Sequence, residues 1–382
     1  MDNSLNQLRE QIDKVDAQLL RAFTERMNIA GQIAAYKKEN GLPVFDAFRE
    51  QQKLADVCDK VPPEFSTYTM SLYSLLFDLS RSYQSRTVAE ESTLAKEISA
   101  AVQATEQLFP ERATVACQGV AGCYAHLAAG RLFRLPQALF FSSFDAVFSA
   151  VDKGLCRYGV IPLENSTAGS VDRVYDLMAK YDFRIVRSIR LKIDHNLLVK
   201  KGTRREEIRE ILSHSQAIAQ CGDFLSTFPN AKIVPYENTA LAAKTVAESD
   251  RNDLAAIASR DCIQEYDLDC LQSSVQDFGN NYTRFICIAK KLEIYPGADR
   301  TSLMVVLPHE AGSLYKLLSR FYALGINLNK LESRPIPERN FEFRFYFDLD
   351  TSVYSPQFLQ LMDELPKLCE EFSYFGSYSE VV

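Results

Sequence analysis

The stretch NSLNQLREQIDKVDAQLLRAFTERMNIAGQIAAYKKEN, residues 3–40, decides how the rest of the chain is read. Its apolar residues fall at Leu5, Leu8, Ile12, Val15, Leu19, Ala22, Ile29, Ile33 and Tyr36, mostly in alternating steps of four and three. That spacing is a helical seam. No proline interrupts it before Pro43, and its only glycine is Gly31. At a rise of ~1.5 Å per residue the rod is roughly 55 Å long, more than a small domain buries alone. Other helices must cover it, and a second copy of the chain is a natural source. The slot between Ala22 and Ile29 holds Arg26. A guanidinium in an apolar seam is costly unless an anion meets it there.

Lys37 follows eleven residues later, about three turns on and nearly on the same face. Arg9 lies one position off the seam. A second helix begins near Asp46, which can cap it, carries Arg49 and Glu50, and stops before Val61-Pro62-Pro63. A third runs from about Glu64 to Arg86, with Leu72, Leu75, Leu76 and Leu79 inward and Ser80 and Gln84 sharing a face. Two readings stand. Arg26 pairs with a carboxylate across a bundle interface, or it belongs to a cationic cavity inside the bundle. Residues 1–86 are then an all-α unit, and the weakly amphipathic residues 87–111 a linker.

With 382 residues and 47% hydrophobic content, two or three domains with real cores are expected. A net charge of −7 without a basic run argues against a general nucleic-acid binder. Nine scattered cysteines without a CxxC pair, and four scattered histidines, suggest reduced thiols and no metal site. The start MDNSLNQLRE has no signal-peptide pattern and no apolar run approaches ~18 residues, so a cytoplasmic protein with no membrane span is expected.

From Arg112 strand-like and helix-like runs alternate: ATVACQ, HLAAGRLF, ALFFS, FDAVFSAVDK, YGVIPL, SVDRVYDLMAKY, and onward to RFICIA. That implies an α/β domain over 112–292, mostly parallel and large enough for two lobes, with ligands at the carboxyl ends of strands. From about residue 300 the order becomes SLMVVLP, SLYKLLSRFYALG, LNKLESRP, FEFRFYFDLD, PQFLQLMDELPKLCEE and a final strand. This is an α+β unit of order βαββαβ over 300–382. Within it Phe341, Phe343, Phe345 and Phe347 form an expected apolar face, with Glu342, Arg344 and Asp348 opposite.

Four motifs punctuate the middle part. Gly119-Val120-Ala121-Gly122 lies between a strand and a helix, where backbone amides approach a carboxylate or simply make a tight turn. Pro162-Leu163-Glu164-Asn165-Ser166-Thr167 ends a strand; Gly169 and Ser170 follow, the latter a possible helix cap. His214-Ser215-Gln216 opens a helix, and Asn280-Asn281-Tyr282-Thr283-Arg284-Phe285 leads into the last strand. Together they describe a cleft of neutral donors with one guanidinium and no metal ligands.

These residues carry a resemblance over essentially the whole chain. LRExID, ER, YK, DxxRE and LSRSYQ occur in the order of the all-helical chorismate mutases. GxxG-x-Y-x-H, IPLENSTAGSV, SHxQAxxQC, ENTAxAA and NYTRF are similar to prephenate dehydratase. Ala311-Gly312-Ser313-Leu314 and Glu332-Ser333-Arg334-Pro335 resemble a phenylalanine-binding ACT domain. The resemblance implies a bifunctional enzyme of phenylalanine biosynthesis, without cofactor, acting on chorismate and prephenate, inhibited by L-phenylalanine, and assembled as a homodimer or homotetramer.

Carried over, the mutase site comprises Arg9, Arg26, Lys37, Asp46, Arg49, Glu50, Ser80 and Gln84, with Arg9 reaching into a partner's site. Arg26 and Arg9 suit the two carboxylates of chorismate, Lys37 and Gln84 the breaking ether oxygen, and Glu50 and Ser80 the ring hydroxyl. The dehydratase site comprises Glu164, Asn165, Ser166, His214, Gln216, Thr283 and Arg284. Thr283 is the expected donor to the leaving hydroxyl and Arg284 the partner of substrate charge, while Asn165, Ser166 and Gln216 orient the ring. Gly312 lets the chain approach an effector, and Glu332 to Pro335 contact it. Three positions depart from the family pattern: Val120 and Cys123 at the glycine turn, and Ser215 where a proline is usual. A non-catalytic amino-acid sensor on a dimerisation rod is the alternative of another class. A mutase fused to a prephenate dehydrogenase would need GxGxxG after a strand, which the sequence lacks.

Overall fold

The computed structural model describes residues 2–43, 45–88, 92–337 and 339–381. The chain divides into two compact units. One holds the chain up to Lys96 with Leu307–Gly325 and Pro356–Glu370; the other holds Glu97–Val306, Ile326–Ser355 and Glu371–Val382. The units cut across the boundaries expected at 86, 111, 292 and 300.

In the first unit the seam forms the helix Asp2–Glu39, followed by helices Ala47–Cys58 and Ser66–Val88. Asp46 caps the second, its side chain accepting from the Arg49 amide at 3.0 Å. The first and second helices both pack on the third. Small residues make the first contact close. Ala30 and Ala34 are buried, and a β-carbon on Gly31 would stand 3.1 Å from the Tyr83 ring. Toward its N-terminus the long helix has no such cover: Leu8 is 54%, Ile12 60% and Val15 60% exposed. The segment expected as a linker contains the helix Thr93–Ala104, with Ala95, Ile98 and Ala101 buried; its residues 89–91 lie outside the described ones. Its apolar stripe is mostly alanine, which explains its weak sequence signal. Helices Ser313–Ala323 and Pro356–Leu368 complete this unit.

The second unit carries three sheets. The seven-stranded one runs Glu380–Val381, Arg184–Lys192, Tyr282–Ala289, Tyr158–Asn165, Arg112–Gln118, Leu135–Phe141, with Gly169–Ser170 paired beside Tyr158–Asn165. The five-stranded one runs Asp269–Gln272, Asn196–Val199, Leu254–Ala258, Glu210–His214, Lys232–Tyr236. These are the two expected lobes, but the sheets are mixed. Tyr282–Ala289 is antiparallel to both neighbours, because the chain returns from the second lobe to fill the middle of the first sheet. The third sheet is antiparallel, ordered Asn327–Pro335, Phe343–Asp350, Arg300–Val306, Glu371–Tyr378. With helices 313–323 and 356–368 between its strands, the chain order is the expected βαββαβ. It presses closely on the first lobe: a β-carbon on Gly376 would collide with the Ile185 carbonyl.

The apolar face expected from Phe341 to Phe347 is only partly formed. Phe341 precedes the strand, at a φ of 60°, and is 84% exposed. Asp348, expected on the polar side, is buried, because the opposite face of this sheet also meets protein: Tyr346 donates to the Tyr175 carbonyl at 3.0 Å.

Candidate active sites

In the helical unit Arg26 and Ser80 meet, as the family resemblance implies. Arg26 Nη1 donates to Ser80 Oγ and, at 3.1 Å, to the Leu76 carbonyl, and its guanidinium lies 5.7 Å from the centre of the Phe77 ring. Ser80 in turn donates to the Leu76 carbonyl at 2.7 Å. Burial pulls the Arg26 pKa down, against the smaller opposing effects of Tyr73 and Glu50. Among the described residues no carboxylate lies within ion-pair distance of it, which removes an in-chain carboxylate partner from the two readings. Gln84, one turn beyond Ser80, is buried with an unpartnered amide oxygen.

The remaining mutase candidates are engaged elsewhere. Glu50 is taken by Arg81, which also binds Asp78. Arg49 is exposed and donates to Gln52 at 3.2 Å; Asp46 serves as the cap. Arg9 is exposed, with Asn6 at 3.5 Å as a partner. Lys37 lies on the same helix as Arg26, near its C-terminus. A cavity of about 730 Å3 opens in this unit, lined by Glu50, Phe77, Arg81, Gly312, Ser313 and Arg320 among others. Gly312 precedes helix 313–323 at a φ of 87°, a conformation that favours glycine. Ser313 Oγ is buried without a partner.

In the α/β unit Asn165, Ser166 and Thr283 converge. Asn165 Nδ2 donates to Thr283 Oγ1 at 2.9 Å and to Asn281 Oδ1 at 2.7 Å, while its Oδ1 accepts from the Thr167 hydroxyl at 2.7 Å and amide at 3.1 Å and from the Ala168 amide at 2.9 Å. Ser166 Oγ donates to the Asn280 carbonyl at 3.1 Å and accepts from the Tyr282 amide at 2.9 Å. Gln220 extends the cluster across the lobes: its Nε2 donates to Thr167 at 2.9 Å and its Oε1 accepts from Asn281 at 3.0 Å. The same oxygen lies 3.0 Å from His195 Nε2, which fixes the proton on that nitrogen. Tyr124 packs beside His195 and donates to the Asp194 carbonyl at 2.9 Å. Burial holds His195 below the usual imidazole range, against the smaller raising effects of Gln220 and Asp194, so it is neutral at pH 7. Thr283 thus accepts from Asn165, and among the described residues nothing takes its own proton.

Two expected members face the other way. Arg284 follows Thr283 in a strand and so points to the opposite face, where it is 4% exposed and bound by Asp348, with Glu164 Oε1 at 3.2 Å. Burial alone would lower its pKa, but Asp348, Tyr378 and Glu164 together raise it. Glu164 also takes Lys330. A register shift between Arg284 and Phe285, opposite Leu163, puts Glu164 across from Arg284 and Asn165 across from Thr283. The cleft cluster is therefore neutral; its expected guanidinium is behind the sheet. His214 caps helix 215–219, its Nδ1 accepting from the Gln216 amide at 3.3 Å, and Gln216 is exposed. Sequence reasoning missed Tyr124, Thr167, His195, Gln220 and Asn281. All but His195 lie inside the quoted motifs, while His195 follows the long strand Arg184–Lys192. Cys123 does not replace the usual hydroxyl as a free donor. Its thiol points back to the Gln118 carbonyl at 3.3 Å, and burial raises its pKa.

On the strand Asn327–Pro335 Glu332 accepts from Ser170, and Arg334 binds Asp172 at 2.8 Å and Asp176 at 3.2 Å. Among the described residues no helix is long and apolar enough to cross a membrane, and no group of His, Cys, Asp or Glu could hold a metal ion.

The family profile of prephenate dehydratase matches residues 115–293, and that of chorismate mutase type II residues 8–85. A bifunctional chorismate mutase/prephenate dehydratase from Neisseria gonorrhoeae is 31% identical, the alignment covering 100% of this chain and 99% of the relative. An arogenate dehydratase/prephenate dehydratase from Arabidopsis thaliana is 33% identical over 78% of this chain and 81% of its own. The crystal structure of a prephenate dehydratase in complex with L-Phe, from Arthrobacter aurescens, superposes with a TM-score of 0.64 at 27% identity, covering 70% of this chain and 90% of that one.

Proposed function

We propose, for a chain that belongs to the bifunctional chorismate mutase/prephenate dehydratases and has both activities in phenylalanine biosynthesis, a division of labour between the two sites just described. The mutase reaction proceeds at Arg26, with Lys37, Ser80 and Gln84. Chorismate rearranges without an obligatory acid, base or nucleophile. Catalysis then rests on holding both carboxylates in the reactive shape and directing donors at the ether oxygen as it gains charge. The unneutralised guanidinium of Arg26 supports this, because a substrate carboxylate can supply the missing anion. The buried Gln84 amide has capacity to spare, and a half-turn would exchange its oxygen for the NH2 donor. Arg9, on the uncovered half of the long helix, reaches a partner's site in a homodimer or homotetramer.

Thr283 donates to the ring hydroxyl that leaves prephenate, as Asn165 already fills its acceptor role and orients its proton outward. His195, held neutral, and Gln220 keep the lobes in register across the cleft. Loss of CO2 and hydroxide together is driven by aromatisation. A neutral cleft leaves the departing ring carboxylate weakly solvated, which favours its loss. Arg284 and Glu164 serve structure rather than substrate.

L-Phenylalanine inhibits through the Gly312 loop and the 332–335 segment by binding the less active form better. The open cavity beside Gly312 and the unpartnered Ser313 hydroxyl support a ligand at the loop. A cytoplasmic location fits this metabolism. Incubating the pure chain with chorismate and no cofactor, and following phenylpyruvate in the ultraviolet with and without phenylalanine, tests all three parts. Absence of phenylpyruvate would end the reading.

A further inference from the structure

The third helix, Ser66–Val88, is held on two opposite sides. Ser80 and Gln84 lie on one side, with Ser80 meeting Arg26. Asp78 and Ser82 lie two residues away on either side of Ser80, about 200° around the axis, and face helices 313–323 and 356–368. There Arg320 Nη2 donates to the Asp78 carbonyl at 2.9 Å. Ser82 Oγ donates to Glu364 Oε1 at 2.8 Å, and Gln360 Nε2 donates to both Ser82 at 3.1 Å and Glu364 at 2.8 Å. Arg320 Nε and Glu364 Oε2 stand 3.6 Å apart, and both side chains are more than nine-tenths buried.

The geometry points to Arg320 and Glu364 as positioning residues for the mutase reaction, although both lie far along the chain from the mutase segment. This rests on the reading of Ser80 and Gln84 as mutase residues. Arg320 seizes the backbone of the third helix at Asp78, and Glu364 seizes its side chain at Ser82. Those two grips bracket Ser80 and fix the rotation and height at which Ser80 and Gln84 meet substrate. The Asp78 carboxylate is not spent on the clamp; it binds Arg81, which also holds Glu50. The clamp therefore bears on Ser80 and Gln84 through the helix and on Glu50 through Arg81. Arg26 sits on a different helix and meets the clamped one only through Ser80 and the Leu76 carbonyl, so its own backbone is not held by the clamp. Releasing the clamp should then lower turnover more than substrate affinity, since a misplacement of about 1 Å costs up to about a hundredfold in rate.

The test uses full-length protein and both activities. Arg320→Met and Glu364→Gln are expected to lower mutase kcat about ten- to a hundredfold while KM for chorismate stays within about twofold. Turnover of added prephenate should stay within about twofold in the same samples, which shows that the α/β unit is intact, while an unchanged KM for chorismate and an unchanged helical circular-dichroism signal show that the helical unit is folded. Ser82→Ala, which leaves Arg320 and its carbonyl partner in place, should lower mutase kcat by about threefold or more. If the charge variants fail to fold, the Ser82 variant decides: unchanged mutase kcat overturns the proposal. So does unchanged kcat in folded Arg320→Met. Gln84→Ala separates the two levels. If it leaves the mutase intact, the assignment of the site itself fails; if it abolishes turnover while the clamp variants do not, only the positioning role fails.

Discussion

Replacing Arg26 by methionine separates binding from folding more cleanly than any other change in the helical unit. The guanidinium contributes two hydrogen bonds, to Ser80 Oγ and to the Leu76 carbonyl. Loss of hydrogen bonds from a charged donor costs about 1.5–3 kcal/mol each when nothing replaces them. Here the Leu76 carbonyl keeps the Ser80 hydroxyl at 2.7 Å, so no acceptor is orphaned. Methionine fits the seam between Ala22 and Ile29 and covers Phe77, and at this half-buried position it contributes part of the about 1.5–3 kcal/mol that full burial would give. Removal of a partly desolvated cation adds to the gain. The contributions nearly cancel, so stability should change by no more than about 1 kcal/mol. The mutase has no such compensation. Cutting one partner from a buried guanidinium–carboxylate pair costs about 2–5 kcal/mol. At 1.4 kcal/mol per factor of ten, kcat/KM falls about 30- to 4,000-fold. Chorismate consumption and thermal unfolding, measured on one preparation with light scattering for assembly, give the comparison. A mutase within about threefold of the parent would refute the reasoning. So would a variant whose main defect is dissociation, since that would place Arg26 in a subunit contact.

Further outcomes follow from the α/β unit and the Gly312 loop. Thr283→Val keeps the shape but removes the free proton; prephenate turnover should fall by about a hundredfold or more, with chorismate rearrangement unaffected. Arg284→Met leaves Asp348 buried without its cation and should destabilise the chain by about 3–5 kcal/mol, whereas Arg284→Met/Asp348→Leu should recover much stability and prephenate turnover. Persistent loss of turnover in the folded double variant would restore Arg284 to the substrate. His195 and His214 both have depressed pKa values in the folded chain, caused first by burial. Their contribution is complete above the unfolded imidazole value of about 6.5 and is lost as pH falls below it toward the folded values. Denaturant midpoints should drop through that window and flatten in His195→Gln/His214→Gln. Gly312→Val forces a β-branched residue to a φ of 87°, a strain of about 1–3 kcal/mol, and should raise the phenylalanine concentration for half-inhibition about five- to 150-fold.

The long helix, its misplaced arginine and the shared face of Ser80 and Gln84 were legible from spacing alone, because a period near 3.6 assigns faces along an uninterrupted helix; that Arg26 and Ser80 belong to one site came from the family resemblance. The same reasoning about periods explains the failures. Glu164 and Asn165 are adjacent, as are Thr283 and Arg284, and a strand sends neighbours to opposite faces. A motif string records only their order. Which member of each pair meets the cleft depended on a register shift opposite Leu163, and a shift exists only between paired strands. The helix at 93–104 escaped notice because alanine marks a buried stripe weakly.

By itself the sequence determined most of the element types and their order, the three patterns along the chain and the chemistry available in each. Local backbone preference and side-chain periodicity are properties of contiguous residues, so they survive without coordinates. Only the tertiary structure decided that Arg284 lies behind its sheet with Asp348, that Gln220 and His195 join Asn165 across two lobes, and that Arg320 and Glu364 grip the helix of Ser80. Those are relations between residues up to 282 positions apart, set by strand register and by which buried charge finds which partner. Packing supplies that information; order along the chain does not.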